Sequence, residues 1–463
     1  MAISWLHVLR RHPNYIKDYS HLFKDRSKFS STNKYILLFV RFSLISLRNL
    51  LQAILQTLRH DVIEIKKTDV LFVSHLTNKK NLKSEKDLYF GNLKNDLELQ
   101  GLNVVTSMID HTSRSIFNNN QLKGQTSRII LSKTSSFYGE LKILFQQIIE
   151  SRRLFNISSQ YSGLQRKVVI GAGIFALSHE TANSLRVAIK LKLLISRCQP
   201  KCVITTYEGQ AWERLVFLAA KDVSPRIKCI GYQHSSLFKS QHAIRRSLGP
   251  TSDPDIILTS GKLYKLDLEK FIGKKGVEIQ ILGSNKIANK KNTQVTSKAN
   301  KVCLVVPEGI ESECNLLFEF SLNCAKLNQD IQFIWRLHPI ISFDYIIKNN
   351  KKLKNIPENI TLSSNSLKED IALSTYVLYR GSTVAISAIS EGLVPIYVDN
   401  SDEQDLDPLY KCSEGKYIVK DSFEFFVAMS EKINNEVLDG LKKHGRLLFS
   451  PMDVSVISSI LTD

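Results

Sequence analysis

The stretch Tyr379-Arg380-Gly381-Ser382-Thr383 sets a glycine and two hydroxyls where a strand pattern gives way to a helix pattern, Val384 to Ser390. The first N–H groups of a helix lack intrahelical partners and sit at the positive end of its dipole, so such a turn suits phosphate oxygens. Arg336-Leu337-His338-Pro339 closes another strand pattern. Alternation sends Arg336 and His338 to one side, and Pro339 keeps His338 out of the helical basin. A protonated imidazole held there can stabilise or protonate a leaving phosphate, with Arg336 supporting it from behind or pairing with an acid. Glu208-Gly209, within Tyr207-Glu208-Gly209-Gln210-Ala211-Trp212-Glu213, ends a third strand. A carboxylate there can take a proton from a sugar hydroxyl, and the glycine permits a close turn. Helix capping or a lysine pair is the structural alternative. Glu213, five residues on, is expected to point elsewhere. Gln233-His234-Ser235-Ser236 ends a fourth strand, and His234 and Ser235 suit contact with a charged or hydroxylated donor or acceptor.

These residues need strands that end along shared edges. Short apolar runs predict strands at 70–73, 103–106, 202–205, 228–232, 255–259 and 278–282. Helical patterns run through 79–99, 136–155, 176–197 and 211–221, and a polar stretch at 110–135 reads as loop. Lys, Asn, Ser and Thr dominate 285–300, which marks a linker. Strands follow at 302–306, 332–337, 360–362, 376–379 and 395–398, with helices at 313–327 and 384–391 and a helical tail over 421–463. The expected fold class is α/β, two Rossmann-like domains facing a cleft. Its parts are a basic helical segment 1–60, a first domain 61–284, the linker, and a second domain 301–463 with C-terminal helices. Doubly wound sheets bind ligands beyond their strand C-termini, so the polar turns should meet in the cleft.

The 463 residues carry a formal net charge of +19, which asks for an anionic partner. Residues 1–60 hold ten Lys or Arg against Asp18 and Asp25. No basic stripe interleaves with aromatics in a known motif, so nucleic acid is not the expected partner. Around 35–55 the chain is apolar but interrupted by Arg41 and Arg48. It reads as a basic amphipathic helix on an anionic membrane surface, or as a core helix with exposed arginines. Met1 to Arg11 lack the features of a secretory signal. Seven cysteines without a C-x-x-C point to a reducing compartment and away from structural zinc. Gly171-Ala172-Gly173 lacks the setting of a dinucleotide fingerprint. The five carboxylates of Asp399, Asp402, Glu403, Asp405 and Asp407 are not spaced as a calcium loop, and read as solvated or lysine-paired.

The ordered set Glu208-Gly209, His338-Pro339 and Ser382-Thr383 resembles the motifs of glycosyltransferases with two Rossmann-like domains, the GT-B type. Within these it is most similar to bacterial polysialyltransferases and capsular Kdo transferases, over about residues 200–400. The Y-E-G-Q-x-W-E string also resembles proteins of surface-carbohydrate biosynthesis. The resemblance implies an inverting, metal-independent transfer without a cofactor, from a CMP-activated acidic sugar to a glycan or lipid-linked acceptor, in synthesis of capsule, O-antigen or lipopolysaccharide. It makes residues 61–284 the acceptor side and 301–463 the nucleotide-sugar side. Glu208 would be the general base, His338 would assist departure of CMP, and Gly381, Ser382 and Thr383 would hold its phosphate. The sequence departs from the pattern in three places. Tyr207 stands where a second acid occurs. Ser387 stands where a ribose-binding glutamate is common, with Glu391 one turn later as the candidate. The closing motif is Gly392-x-x-Pro395. A glycerophosphate transferase, a sugar-nucleotide epimerase of the same fold, and a non-catalytic binder of polyanions or carbohydrate remain alternatives. The expected location is cytoplasmic or peripheral on the inner membrane.

Overall fold

The computed structural model describes residues 31–57, 67–78, 84–112, 128–239, 241–287, 301–400 and 405–462. Its first sheet joins β1 (Val70–Leu76), β2 (Val104–Asp110), β3 (Arg128–Leu131), β4 (Cys202–Thr206), β5 (Lys228–Gln233), β6 (Ile256–Thr259) and β7 (Glu278–Ile281). All neighbours are parallel, in the order β3-β2-β1-β4-β5-β6-β7. The second sheet joins β8 (Val302–Val306), β9 (Gln332–Trp335), β10 (Ile360–Leu362), β11 (Tyr376–Tyr379), β12 (Val394–Val398) and β13 (Tyr417–Val419), in the order β10-β9-β8-β11-β12-β13 and again parallel. Central strands are buried along their whole length because helices cover both faces: β4 and β12 are buried at every residue.

The helices on the first sheet's side are α1 (Ser31–Thr57), α2 (Leu93–Leu99), α3 (Phe137–Ser158), α4 (Gly163–Ala176), α5 (His179–Cys198), α6 (Ala211–Val223) and α7 (Lys262–Glu269). Serines begin two of them: Ser136 accepts from the N–H of Gly139 and Ser178 from that of Thr181. Glu140 of α3 and Arg186 of α5 form a buried bidentate pair at 2.7 and 2.9 Å that locks these helices in register. With the second sheet come α8 (Glu311–Leu327), α9 (Phe343–Asn349), α10 (Leu367–Leu373), α11 (Val384–Ser390), α12 (Ser422–Ser430) and α13 (Asn435–Leu448), and the chain ends in α14 (Ser455–Thr462).

The two sheets are the doubly wound pair expected, and several details differ. A strand, β3, lies at the end of the stretch read as loop; four residues give too short a period to see. β13 was likewise too short to stand out. Of the helix read over 79–99, residues 79–83 lie outside the described residues and 84–99 hold only α2, because Asp87 makes a turn ahead of it by accepting from the N–H groups of Tyr89 and Phe90. Gly171-Ala172-Gly173 lies inside α4. Asp407 of the acidic stretch is buried against Lys416 at 2.6 Å and Tyr379 Oη at 2.9 Å, a lysine pair as read. The tail 450–462, grouped by sequence with the second sheet, returns to the first. The N–H of Ser450 donates to the carbonyl of Ser260, and Ile457 and Ile460 of α14 pack among Val70, Phe72 and Ile230. Residues 1–30 and 288–300, which include much of the basic segment and of the linker, lie outside the described residues.

Candidate active site

Each sheet reverses its strand order once, between β1 and β4 and between β8 and β11. Loops leaving the strands at such a point part to opposite faces and open a crevice. Glu208 follows β4, His75 lies near the end of β1, Glu308 follows β8, and Gly381 to Thr383 follow β11.

The Glu208 loop is built by its own motif. Gly209 has φ +81°, and a methyl group there would overlap the backbone of Ala243. Glycine is thus needed both for the conformation and for the close approach. Glu213 does not point elsewhere. It turns back, buried, and its carboxyl accepts from the N–H of Glu208 at 3.0 Å and of Gln210 at 2.7 Å. Burial, with Glu208 close by, pushes that carboxyl well above the usual range, against the backbone N–H groups. Gln210 Nε2 donates to Glu208 Oε2 at 2.8 Å, Trp212 Nε1 donates to Gln210 Oε1 at 3.2 Å, and Ser235 Oγ donates to Glu208 Oε1 at 2.7 Å. Both carboxyl oxygens of Glu208 are therefore aimed. Gly209→Ala is expected to lower stability by roughly 2–4 kcal/mol through left-handed strain plus overlap. Urea unfolding checks it, and a loss under about 0.5 kcal/mol would show that the turn adapts.

Beside Glu208 lies a set of rings of which sequence reasoning singled out only His234. His75 Nε2 is 2.9 Å from Thr206 Oγ1, and its Nδ1 is 2.8 Å from His111 Nε2. The edges of Tyr89 and Trp212 meet His75 at centroid distances of 5.3 and 5.2 Å, and Tyr89 meets His234 at 4.7 Å. Burial lowers His75 to about 3 and His234 to about 4, with Glu208 opposing both shifts, and burial lowers His111 as well. At neutral pH these imidazoles are neutral hydrogen-bonding groups. The signal in the sequence was position: His75 closes β1 as Glu208 follows β4.

On the other side of the cleft, Thr383 is helical itself and its side chain does not cap α11. Its hydroxyl lies 3.3 Å from Lys286 Nζ instead. Ser382 is 8% exposed, with Oγ 3.4 Å from the N–H of Val384. Gly381 has no left-handed φ. Its missing side chain makes room for Glu308, whose Oε1 a methyl group there would overlap. Gly309 faces His338, a methyl position on it being 2.8 Å from Nδ1. Burial and the charge of Lys286 lower the pKa of His338, so a neutral imidazole waits there in the free protein.

Lys286, from the stretch read as linker, ties the two sides together. Besides Thr383, its charge acts on Glu208, His234 and His338. Crowding by protein lowers its pKa and Glu208 opposes the shift. Because the side chain keeps contact with water along the cleft, it stays a cation at neutral pH. Glu208, His234, Ser235, His338, Gly381, Ser382 and Thr383 thus fall on one cleft.

Arg336 and Glu391 do not join them. β9 stops at Trp335, so the strand alternation read through His338 does not hold. Arg336 Nη1 pairs with Asp370 at 2.6 Å and donates to the Asn365 carbonyl, bracing a loop. Glu391 is exposed at the C-terminal end of α11, about 12 Å of helix away from Thr383. Arg380 is buried against Glu313. Glu308 escaped notice although Glu308-Gly309 follows β8 by the same offset as Glu208-Gly209 follows β4. Among the described residues no group of three His, Cys, Asp or Glu is arranged to hold a metal ion.

No protein-family model and no curated protein matches this chain. Solved structures match over most of it. A Listeria monocytogenes protein assigned as a UDP-N-acetylglucosamine 2-epimerase aligns with a TM-score of 0.51 at 11% identity, over 85% of this chain and 96% of that one. The calicheamicin glycosyltransferase aligns at 0.50 and 10% identity, over 86% and 98%. A glycosyltransferase of kitacinnamycin aligns at 0.50 and 10%, over 85% and 99%. At such identity the likeness is one of fold: the chain has the GT-B architecture of two facing Rossmann-like domains.

Proposed function

We propose that the protein is an inverting glycosyltransferase of bacterial surface-polysaccharide synthesis. It moves a sugar, best fitted by a CMP-activated acidic sugar, to a glycan or lipid-linked acceptor. The observation that carries the reading is Lys286, a cation acting on Glu208, His338 and Thr383 across one crevice. A nucleotide sugar divides its chemistry in the same way, with phosphate at one end and the reacting carbon at the other. In this reading Glu208 takes the proton of the acceptor hydroxyl as its oxygen attacks the anomeric carbon. The bond from that carbon to the donor phosphate breaks, and its electrons go to the phosphate oxygen. Thr383, Ser382, the Gly381 turn and Lys286 hold that oxygen's charge. Phosphate beside His338 raises the imidazole's pKa, so it arrives protonated and supports departure of the nucleotide. The neutral rings His75, Tyr89, Trp212 and His234, with Ser235, offer the acceptor stacking edges and hydrogen bonds.

A peripheral position on the cytoplasmic side of an anionic membrane accompanies this reading. On α1, Val40, Leu44, Leu47, Leu51 and Ile54 are all exposed at alternating spacings of four and three, with Arg41 and Arg48 exposed beside them. Phe42, Asn49 and Ala53 are buried in the opposite sense, and α3 alongside exposes Phe145 and Ile149. No helix among the described residues is long and apolar enough to cross a membrane, which leaves interfacial docking. The variant Leu44→Ser, Leu47→Ser, Leu51→Ser should bind anionic liposomes roughly tenfold or more weakly, given ~1.5–3 kcal/mol per fully buried leucine. Unchanged co-sedimentation with an unchanged circular dichroism spectrum would remove this face from membrane binding.

An epimerase of the same fold is the second reading. Glu308 favours it, because removing and returning a proton at carbon needs two acid–base groups and Glu308 adds a second carboxyl to the cleft. The test is a thermal-shift screen with CMP, CDP, UDP and GDP, followed by incubation with the matching nucleotide sugar in deuterated water. Transfer releases nucleotide without deuterium entering the sugar, while epimerisation labels the sugar. Stabilisation by none of the four nucleotides would overturn both readings.

A further inference from the structure

Glu308 belongs to none of the motifs behind the functional reading, yet it stands at the turning point of the second sheet. Its carboxyl rests on the Cα of Gly381, the first residue of the turn that carries Ser382 and Thr383, and the next residue, Gly309, rests on the imidazole of His338. An ionised carboxyl there would repel a phosphate. No ion pair among the described residues reaches Glu308, because the guanidinium of Arg380 is joined to Glu313. Glu313 adds like charge. Burial and Glu313 raise the Glu308 carboxyl to about 7, with Arg380 opposing.

We propose that Glu308 enters the nucleotide complex as a neutral carboxylic acid and donates its proton in a hydrogen bond to the bound phosphate, so that nucleotide binding takes up a proton. This rests on the reading that the phosphate lies on the 381–383 turn. The charged groups acting on Glu308 are Glu313 of α8 and Arg380 at the end of β11; His338, which meets the neighbouring Gly309, is in turn acted on by Lys286. A bound phosphate disfavours ionised Glu308 and raises its pKa further. By linkage, affinity holds below the free carboxyl's pKa and falls as pH rises through it, by up to about tenfold per pH unit for one proton.

The probes are the methyl esters of CMP and UMP, whose diester phosphates do not titrate in this range. Calorimetry from about pH 6 to about pH 8.5 should show roughly thirtyfold weaker binding at the upper end. Uptake near one proton should appear at the alkaline end, read from two buffers of different ionisation enthalpy. Glu308→Gln, which still donates through its amide, should lose most of the pH dependence and of the uptake, whereas His338→Gln and Lys286→Arg, which removes the other group that titrates in this range, should each retain most of the uptake. Binding without pH dependence or proton uptake in the wild type overturns the proposal and leaves the phosphate site standing. Uptake that survives in Glu308→Gln and vanishes in His338→Gln overturns it too, since His338 would then be the acceptor. Failure of both esters to bind at any pH overturns the proposal together with the phosphate site.

Discussion

Replacing Glu208 by glutamine should leave nucleotide-sugar binding within about twofold of wild type and lower turnover roughly 10²–10⁴-fold, the range of a positioned general base. The shape of the site survives the change. Ser235 and Gln210 hold the two oxygens of Glu208 from opposite partners, and Glu213 fixes the backbone beneath them. The amide keeps an acceptor for one of these contacts and loses the ability to take a proton. Ser382 and Thr383, proposed to hold the phosphate, follow a strand of the other sheet, so donor affinity should separate from rate. The check is kcat with donor and acceptor saturating, beside a direct donor titration. Turnover at the wild-type level would show that Glu208 is a loop brace. Donor binding lost together with rate would mean that the loop, not the base, had been removed.

Asp253→Ala should cost about 3–5 kcal/mol of stability, as breaking a buried pair leaves the other charge without compensation. Arg214 and Asp253 are each almost wholly buried, and their side chains are joined. Asp253 also accepts from the N–H groups of Leu248 and Gly249. The guanidinium of Arg214 donates to the carbonyls of Ala243 and Arg246 at 2.8 Å. Ala243 is the backbone that Gly209 touches, so this pair anchors the floor of the Glu208 turn. Removing the aspartate leaves a buried cation, and the N–H groups of Leu248 and Gly249, without that acceptor. The midpoint of urea unfolding at neutral pH measures the loss, and activity should fall beyond what the unfolded fraction accounts for. A loss below about 1 kcal/mol would show that water takes over the role.

The two sheets were legible because buried parallel strands leave continuous apolar runs. Cys202–Thr206 and Val394–Val398 stand out for that reason, whereas β3 and β13, at four and three residues, do not. The site was legible where a strand ends in a polar turn, as at Glu208-Gly209, His338-Pro339 and Ser382-Thr383. The same rule applied to every strand end would have added His75 and Glu308. Two readings failed for a local reason. Arg336 was placed by an alternation that stops when β9 stops, and Glu391 by a count along α11 that carries it away from the turn.

Sequence alone determined the kind of fold, the strand ends that carry polar groups and the presence of a basic apolar helix, because each is a property of neighbours along the chain. Which of those groups face one another was decided only in three dimensions. Lys286 looks like any lysine of a polar stretch until β7 delivers it between the lobes, within reach of Thr383. Glu213 looks like a surface acid of a helix until the turn folds back onto it. Gly381 looks like a turn residue until Glu308 fills the space of its absent side chain. Charge, burial and steric room depend on atoms distant in the chain, and no spacing between letters encodes them until the sheets have closed on each other.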